Sequence, residues 1–239
     1  MRRRTLQISS ASLIIGGYAP VRSLAEPRVL LRALLAGGIT ALACHPRIAN
    51  WVQRPDAVWF LVTAVGWAGF VMWAAVFAWQ EKHGQCEVFP RSVPAKLWFS
   101  AVALGCAGAV ISFHFGDPIL RRLAPTDFPA NPTQWTEHLL FNLAMEQPFL
   151  CFAPFAFGVR LLPGVKSAAV ATGLFALFVF GLKLSELEHD LPTGTVLALM
   201  TFRAVQSAVV LWLYVRGGAW LAWLFALLIQ SRHWFAFAP

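Results

Sequence analysis

Charged side chains are scarce in this sequence. They make up 13% of the 239 residues, whereas a typical soluble domain has roughly 25%. Hydrophobic residues make up 58%, and the mean hydropathy is +0.63. This composition excludes a soluble enzyme, a disordered tail and a nucleic-acid-binding module. A helix needs about 20 apolar residues to cross a bilayer, so we predict an all-α, polytopic transmembrane helical bundle of about seven spans in a lipid bilayer.

Cysteine and the common catalytic motifs are equally scarce. The four cysteines are far apart and show no C-x-x-C spacing, which excludes a disulfide framework and a cysteine zinc site. The sequence contains no Walker loop, no Gly-rich dinucleotide loop, no nucleophile elbow and no Ser/His/Asp arrangement. The sequence therefore assigns no cofactor.

Apolar windows of about 19 residues predict seven spans separated by short loops. These windows cover residues 29–44, 57–79, 97–115, 138–159, 167–184, 195–215 and 219–230. Residues 1–27 begin with three arginines and are predicted to be a cationic cytoplasmic leader. Residues 28–239 then form the transmembrane helical domain.

The distribution of positive charge predicts the orientation of these spans. With seven crossings, the leader and the loops on its side hold 11 of the 19 Lys and Arg, and the other side holds six. Because Lys and Arg are retained on the cytoplasmic side, the N-terminus should be cytoplasmic. We expect a multi-pass protein of a bacterial-type inner membrane.

The fourth span carries the strongest signals for a helix start and for irregular backbone. It is preceded by Asn131, followed by a proline and, at the third helical position, Gln134, a pattern that predicts a capped helix start. Pro148 and Pro154 then interrupt the span and predict a kink. Because kinked backbone at membrane depth is tolerated beside cavities, we expect a functional site in this span.

Glu146 is the only acidic residue inside a predicted span. An ionisable group at that depth costs several kcal/mol unless it is paired, protonated or hydrated, so Glu146 is the leading candidate catalytic residue. His138 and Asn142 precede it at intervals of four and share its helical face, which predicts a polar path into the bundle. The alternatives are a neutral buried Glu146 bonded to a neighbouring helix, or an ion pair with Arg203.

Histidines supply a second candidate site. Seven crossings place five of the six histidines on the periplasmic side, and Glu186 and His189 have the i, i+3 spacing of two metal ligands on one helix. This pattern predicts a metal or pigment site there. Solvated histidines at the membrane interface are the alternative.

Three motifs occur in the second half of the chain at characteristic spacing. They are Glu146-Gln147 with Cys151 on one helix, Phe175 with Val179 on the next, and Ala226 with Gln230 after the Gly217-Gly218 pair. In order and loop length, residues 138–232 resemble the CAAX-protease and bacteriocin-processing family of glutamic intramembrane proteases. That family has E-E-x-x-x-R, F-x-x-x-H and H-x-x-x-N at these positions, and Glu146 is the residue carried over. The resemblance implies that Glu146 activates water for peptide hydrolysis.

The sequence leaves three functions open. The first is a non-catalytic subunit or accessory protein of a larger membrane complex, energy-converting or photosynthetic, that uses its 20 Phe and 11 Trp to pack against other integral membrane proteins. The second is an intramembrane endopeptidase that uses Glu146, with His138 and Asn142 beside it. The third is a protein that binds a metal or pigment through the periplasmic-side histidines. The endopeptidase requires a water-accessible cavity that holds Glu146 and a nearby His or Arg.

Overall fold

The computed structural model describes residues 24–52, 54–80, 87–186 and 191–237, and all regular elements within these ranges are helices. Six of the helices are long and apolar enough to cross a membrane, so the prediction of a helical, multi-pass membrane architecture is confirmed. We number them in chain order: α1 (Pro27–Trp51), α2 (Pro55–Gln80), α3 (Ala95–Leu123), α4 (Pro132–Leu161), α5 (Val165–Ser185) and α6 (Thr193–Phe235).

The first helix is longer than its apolar window predicts. The window ends at residue 44, but α1 continues through Pro46 to Trp51. A proline inside a helix removes a backbone hydrogen bond, and burial of the following turn offsets this loss. Ile48 packs with Val58 and Val62 of α2 in a small apolar cluster.

The last two predicted spans lie in one helical stretch that is broken at a glycine pair. Gly217 and Gly218 have non-helical backbone angles, and Gly218 has φ of 68°. The backbone N–H of Ala219 donates to the carbonyl of Val88. A Cβ atom at residue 218 would lie 2.4 Å from that carbonyl oxygen, so glycine is required there.

The chain folds back at this glycine pair. Gln206, before the break, contacts Ser112 of α3, and Arg232, after the break, contacts Asp117 of the same helix. Arg203 and Arg232 line one cavity, although a continuous helix would separate them by about 44 Å at 1.5 Å per residue. The two arms of α6, 193–216 and 219–231, therefore lie side by side.

The bundle has two different ends, which we name by one residue each. The Gly218 end holds the glycine pair and residues 87–94, and the Asp117 end holds residues 117–131. Aromatic rings of Trp73, Phe152, Tyr214 and Trp223 pack together towards the Gly218 end, where Phe152 and Tyr214 stack with centroids 4.3 Å apart. This packing fills the interior of the bundle towards the Gly218 end.

The outer helix faces carry large apolar side chains. On α1 alone, Leu31, Leu35, Ile39 and Leu42 are exposed. Continuous apolar coverage of this kind suits contact with lipid tails rather than water. The fold therefore suits a lipid bilayer environment.

Candidate functional site

The helix that carries Glu146 begins where its sequence predicts. The Asn131 side chain accepts a hydrogen bond from the Gln134 backbone N–H at 2.9 Å, and the Gln134 side chain accepts one from the Ala130 N–H at 2.8 Å. This reciprocal pairing satisfies backbone donors that a helix start leaves free. The predicted start of α4 is confirmed.

The middle of α4 is widened into two π-helical turns, Asn142–Glu146 and Pro148–Phe152. A π-helical turn shifts the regular hydrogen bonding of the helix, and such turns are frequent at functional sites. Two neighbouring helices bond to the widened backbone. The Trp223 Nε1 donates to the Leu143 carbonyl at 3.0 Å, and the Thr40 hydroxyl donates to the Ala144 carbonyl at 3.3 Å. These bonds fix the segment that presents Glu146.

Glu146 lines a polar cavity of about 210 Å³ inside the bundle, which we name the inner cavity. Its walls come from α3, α4, α5 and α6. Most of the polar side chains on these walls are uncharged amides and hydroxyls, namely Ser112, Asn142, Gln147, Gln206, Ser207 and Gln230. The charged side chains are Asp117, Glu146, Arg203 and Arg232.

Arg203 faces Glu146 across the inner cavity. The Asn142 amide donates to the Glu146 carboxylate at 2.5 Å. Arg203 interacts electrostatically with Glu146, but among the described residues the two side chains form no direct ion pair. The Arg203 Nε is buried and has no hydrogen-bond partner in the part of the chain that the structure describes, so the guanidinium retains donor capacity towards the cavity.

The far wall of the inner cavity is held by two polar contacts to α3. The Gln206 amide donates to the Ser112 hydroxyl at 3.3 Å, and the Arg232 Nε lies 3.0 Å from a carboxylate oxygen of Asp117. The Asp117–Arg232 pair is buried, with side chains 5% and 13% exposed. These contacts tie the first arm of α6, through Gln206, and the residue that follows the second arm, Arg232, to α3.

A second polar cavity of about 180 Å³, the outer cavity, adjoins the first at the Asp117 end. Asn142, Glu146, Gln230 and Arg232 are among the residues that line both cavities. The additional polar side chains are mostly charged or imidazole groups, namely Arg47, Asp127, His138, Lys183 and His233. The two cavities form one polar route from the interior of the bundle towards the Asp117 end.

Arg47 is the most constrained cation of the outer cavity. It is 8% exposed, and its guanidinium lies over the rings of Trp51 and Phe141, 4.5 and 5.1 Å from their centroids. Its Nε makes no hydrogen bond to any residue that the structure describes. Lys183, in contrast, forms an ion pair with Asp127 at 2.5 Å.

The structure assembles the predicted stripe around these cavities. His138 lines the outer cavity, and Asn142 and Glu146 line both. Arg47 was not predicted as a site residue, because the apolar window of the first span ends before it and assigns it to a loop. Arg47 lies three residues after Cys44 and one before Ile48, so it continues the buried face of α1. A prediction that extended the first helix past residue 44 would have placed Arg47 inside the bundle.

The predicted metal or pigment site of Glu186 and His189 lies only partly within the residues that the structure describes. Glu186 is exposed after the end of α5, and His189 lies outside the described residues. His45 stacks on Trp59, and His114 is exposed. No group of three or more His, Cys, Asp or Glu side chains with metal-binding geometry occurs among the described residues.

No family profile, curated protein or solved structure matches this chain. The resemblance to glutamic intramembrane proteases therefore depends on motif spacing and on where the motif positions lie. Five of them, occupied by Glu146, Gln147, Cys151, Ala226 and Gln230, line the inner cavity, whereas Val179 is not among its lining residues.

Proposed function

We propose that this protein is a glutamate-dependent intramembrane peptidase in which Glu146 is the general base. One observation carries the proposal: Glu146 lines a polar cavity inside an apolar helix bundle together with Arg203, whose Nε is buried. A carboxylate sealed among apolar helices would be neutral and inert. A carboxylate next to a cation and reachable by water can accept a proton from that water.

Three polar side chains of the inner cavity have a role in the proposed reaction. Glu146, oriented by Asn142, takes a proton from a water molecule whose oxygen bonds to the carbonyl carbon of the substrate. Arg203 stabilises the negative charge that develops on the carbonyl oxygen, as preorganised donors do in acyl-transfer enzymes. The C–N bond then breaks, and the proton on Glu146 passes to the leaving amine.

The motif positions support the same assignment. Glu146 occupies the position of the catalytic Glu in the resembling family, and the Gln147, Cys151, Ala226 and Gln230 positions lie around the same cavity. Arg203 would supply the charge stabilisation that the family obtains from histidines.

We further propose that the chain crosses the membrane seven times, with the N-terminus in the cytoplasm of a bacterial-type cell. The fold-back at Gly217-Gly218 supports two crossings within α6. The excess of Lys and Arg on the Gly218 side supports the orientation. The outer cavity then opens to the non-cytoplasmic surface, and substrates would enter from there.

One observation favours a second candidate, a non-catalytic subunit of a larger membrane complex. The motif positions that carry Glu, Arg and His in the resembling family hold Gln147, Cys151, Val179 and Ala226 here. In that case Glu146 and Arg203 stabilise the bundle and catalyse nothing, and the protein should co-purify with membrane partners in mild detergent.

A comparison of protein termini separates the two candidates. Membranes from cells that express the wild type, Glu146→Gln or Glu137→Gln are analysed by mass spectrometry for new N- and C-termini of membrane proteins. Glu137 is the matched control, since it lies on the same helix but accepts a bond from Asn50 at the surface. We expect Glu146→Gln to reduce the yield of specific termini by about 100-fold or more, the usual scale of general-base loss, and Glu137→Gln to leave it unchanged.

Identical termini in all three strains, with equal protein levels, would refute the peptidase. Partners that co-purify stoichiometrically with the wild type and with Glu146→Gln alike would then establish the subunit.

A further inference from the structure

Two buried side chains that line the outer cavity each have one nitrogen atom with no hydrogen-bond partner among the described residues. Arg47 is 8% exposed and His233 is 4% exposed. Neither the Arg47 Nε nor the His233 Nδ1 makes a hydrogen bond within the described residues. Buried polar atoms are rarely left without a partner, so these two atoms mark a place where a polar ligand is held.

The charges that face this cavity leave one cation available. Asp127 is paired with Lys183 at 2.5 Å, and Arg232 is paired with Asp117. Glu146 lies at the inner boundary, where the Asn142 amide bonds to it. Arg47 interacts electrostatically with the surrounding acids but forms no direct ion pair in the described part of the chain.

The donors fit an anion with several oxygen atoms. A guanidinium presents planar N–H groups that match phosphate oxygens, and an ammonium adds point charge. Arg47, Lys183 and His233 come from α1, α5 and the chain segment after the second arm of α6. Convergence from three directions suits a tetrahedral group better than a planar carboxylate, which offers two oxygens.

We propose that the outer cavity is a binding site for a phosphate group, supplied either as free phosphate or as the headgroup of a phospholipid. The cavity lies at the Asp117 end of a bundle with apolar outer faces, the depth at which headgroups meet the protein. The site uses Arg47 as its principal ligand and His233 as a further donor, and Lys183 can add an N–H group that does not bond to Asp127. It does not depend on Glu146 acting as a base.

Titration of the purified protein with inorganic phosphate tests this site. The protein is held in a neutral detergent at constant ionic strength, and binding is followed by calorimetry and by the shift in Tm. We expect saturable binding that weakens about tenfold or more in Arg47→Gln and about threefold or more in Lys183→Gln. The matched control is Arg54→Gln, an exposed arginine at the same end that pairs with Asp56 outside the cavities, and its phosphate affinity should equal the wild type.

Vesicles distinguish the two sources of phosphate. The protein is reconstituted in phosphatidylcholine vesicles with and without phosphatidylglycerol, and phosphate affinity is measured again. Competition by phosphatidylglycerol that Arg47→Gln abolishes supports a lipid headgroup. Unchanged affinity in both vesicles supports free phosphate.

Lack of saturable phosphate binding, or equal loss in Arg54→Gln, would overturn the proposal. Arg47→Lys covers the case in which Arg47→Gln does not fold, because it keeps the charge but not the planar donors and should weaken binding several-fold. Glu146→Gln should retain phosphate binding, so failure of this site and failure of the proposed peptidase are separate results.

Discussion

Glu146 lies in a cavity that also contains Arg203, the ion pair of Asp117 and Arg232, and several amides. The Asn142 amide bonds to the Glu146 carboxylate without neutralising its charge. The other amides and hydroxyls make the wall of the inner cavity polar. A charge at membrane depth is tolerated under such conditions. The spacing of His138, Asn142 and Glu146 on one helical face predicted this polar route, because residues four apart lie along one face of a helix.

The sequence could not predict which cations reach the site. Arg203 was identified as a candidate partner of Glu146, but sequence spacing does not show whether the two form an ion pair or lie across a cavity. Arg47 reaches the site because α1 continues as a helix past Pro46. Both are tertiary features, fixed by how α1 and α6 pack against α4.

The buried ion pair of Asp117 and Arg232 should be important for stability. Asp117→Asn leaves the Arg232 charge buried without its partner, and we expect a loss of about 3–5 kcal/mol in the free energy of unfolding. The control is Asp56→Asn, whose partner Arg54 is 79% exposed, and an exposed pair contributes about 0–1 kcal/mol. Thermal or denaturant unfolding in detergent measures both. Equal effects would show that the buried pair has no special role.

The bond from Trp223 to the Leu143 carbonyl should hold the widened turn of α4. Trp223→Phe keeps the ring but removes the N–H donor, and a buried carbonyl left without a donor costs about 1–3 kcal/mol. Trp220→Phe is the control, since Trp220 is partly exposed and packs in the same aromatic cluster. We expect a lower Tm for Trp223→Phe alone. A decrease of the same size in both variants would assign the effect to ring packing.

At the scale of elements, apolar periodicity and turn signals predicted most of the helices. The capped start of α4 followed from Asn131 and Gln134, and its irregular middle followed from the prolines. The kind of irregularity, two π-helical turns, could not be predicted, because it depends on side chains of α1 and α6 that bond to the widened backbone.

Two neighbouring glycines of α1 should respond in opposite ways to alanine. A Cβ atom at residue 37 would lie 2.7 Å from the Gly66 carbonyl oxygen of α2, whereas one at residue 38 would meet nothing within 4 Å. Gly37→Ala should lower the stability by about 1–3 kcal/mol, because the helices must separate. Gly38→Ala should be neutral or raise stability by up to about 1 kcal/mol through helix propensity. Unfolding in detergent measures the stability of both variants. Destabilisation of equal size in Gly37→Ala and Gly38→Ala would contradict the close packing of α1 and α2.

The fold-back in α6 should depend on glycine at residue 218. Gly218→Ala combines a backbone conformation that only glycine adopts easily with a contact to Val88, and we expect little folded protein in detergent extracts measured by size-exclusion chromatography. Gly164→Ala also has positive φ but open space around it, and it should fold with a cost of about 1–2 kcal/mol. Normal yield of Gly218→Ala would show that the turn is not required.

At the scale of the whole molecule, the account requires opposite exposure of the two bundle ends. Single cysteines at Ala130, at the Asp117 end, and at Arg91, at the Gly218 end, are treated in intact cells with a membrane-impermeant maleimide. We expect Ala130→Cys to be labelled from outside and Arg91→Cys to be labelled only after the cells are opened. The reverse pattern would invert the proposed orientation.

Composition and the distribution of positive charge were sufficient to predict a helical membrane protein, because the bilayer restricts spanning segments to long apolar helices. The number of crossings was harder to predict. The described residues contain six helices that are long and apolar enough to cross a membrane. The proposed seventh crossing would depend on the turn at two glycines, a local backbone feature that a hydropathy window does not detect.

The most direct test of the central claim is the reactivity of a cysteine at residue 146. Glu146→Cys, in a background with Cys86→Ser and Cys151→Ser, is treated with a charged methanethiosulfonate in intact cells. Cys151 is replaced because it lines the same cavity as residue 146. Cys44 is buried, and Cys106 lies on the outer face of α3, so the background should be low. The control is Phe149→Cys on the lipid-facing side of α4. The account predicts rapid modification of residue 146 from outside and none at residue 149; an unreactive residue 146 would contradict the open polar cavity on which the proposed function depends.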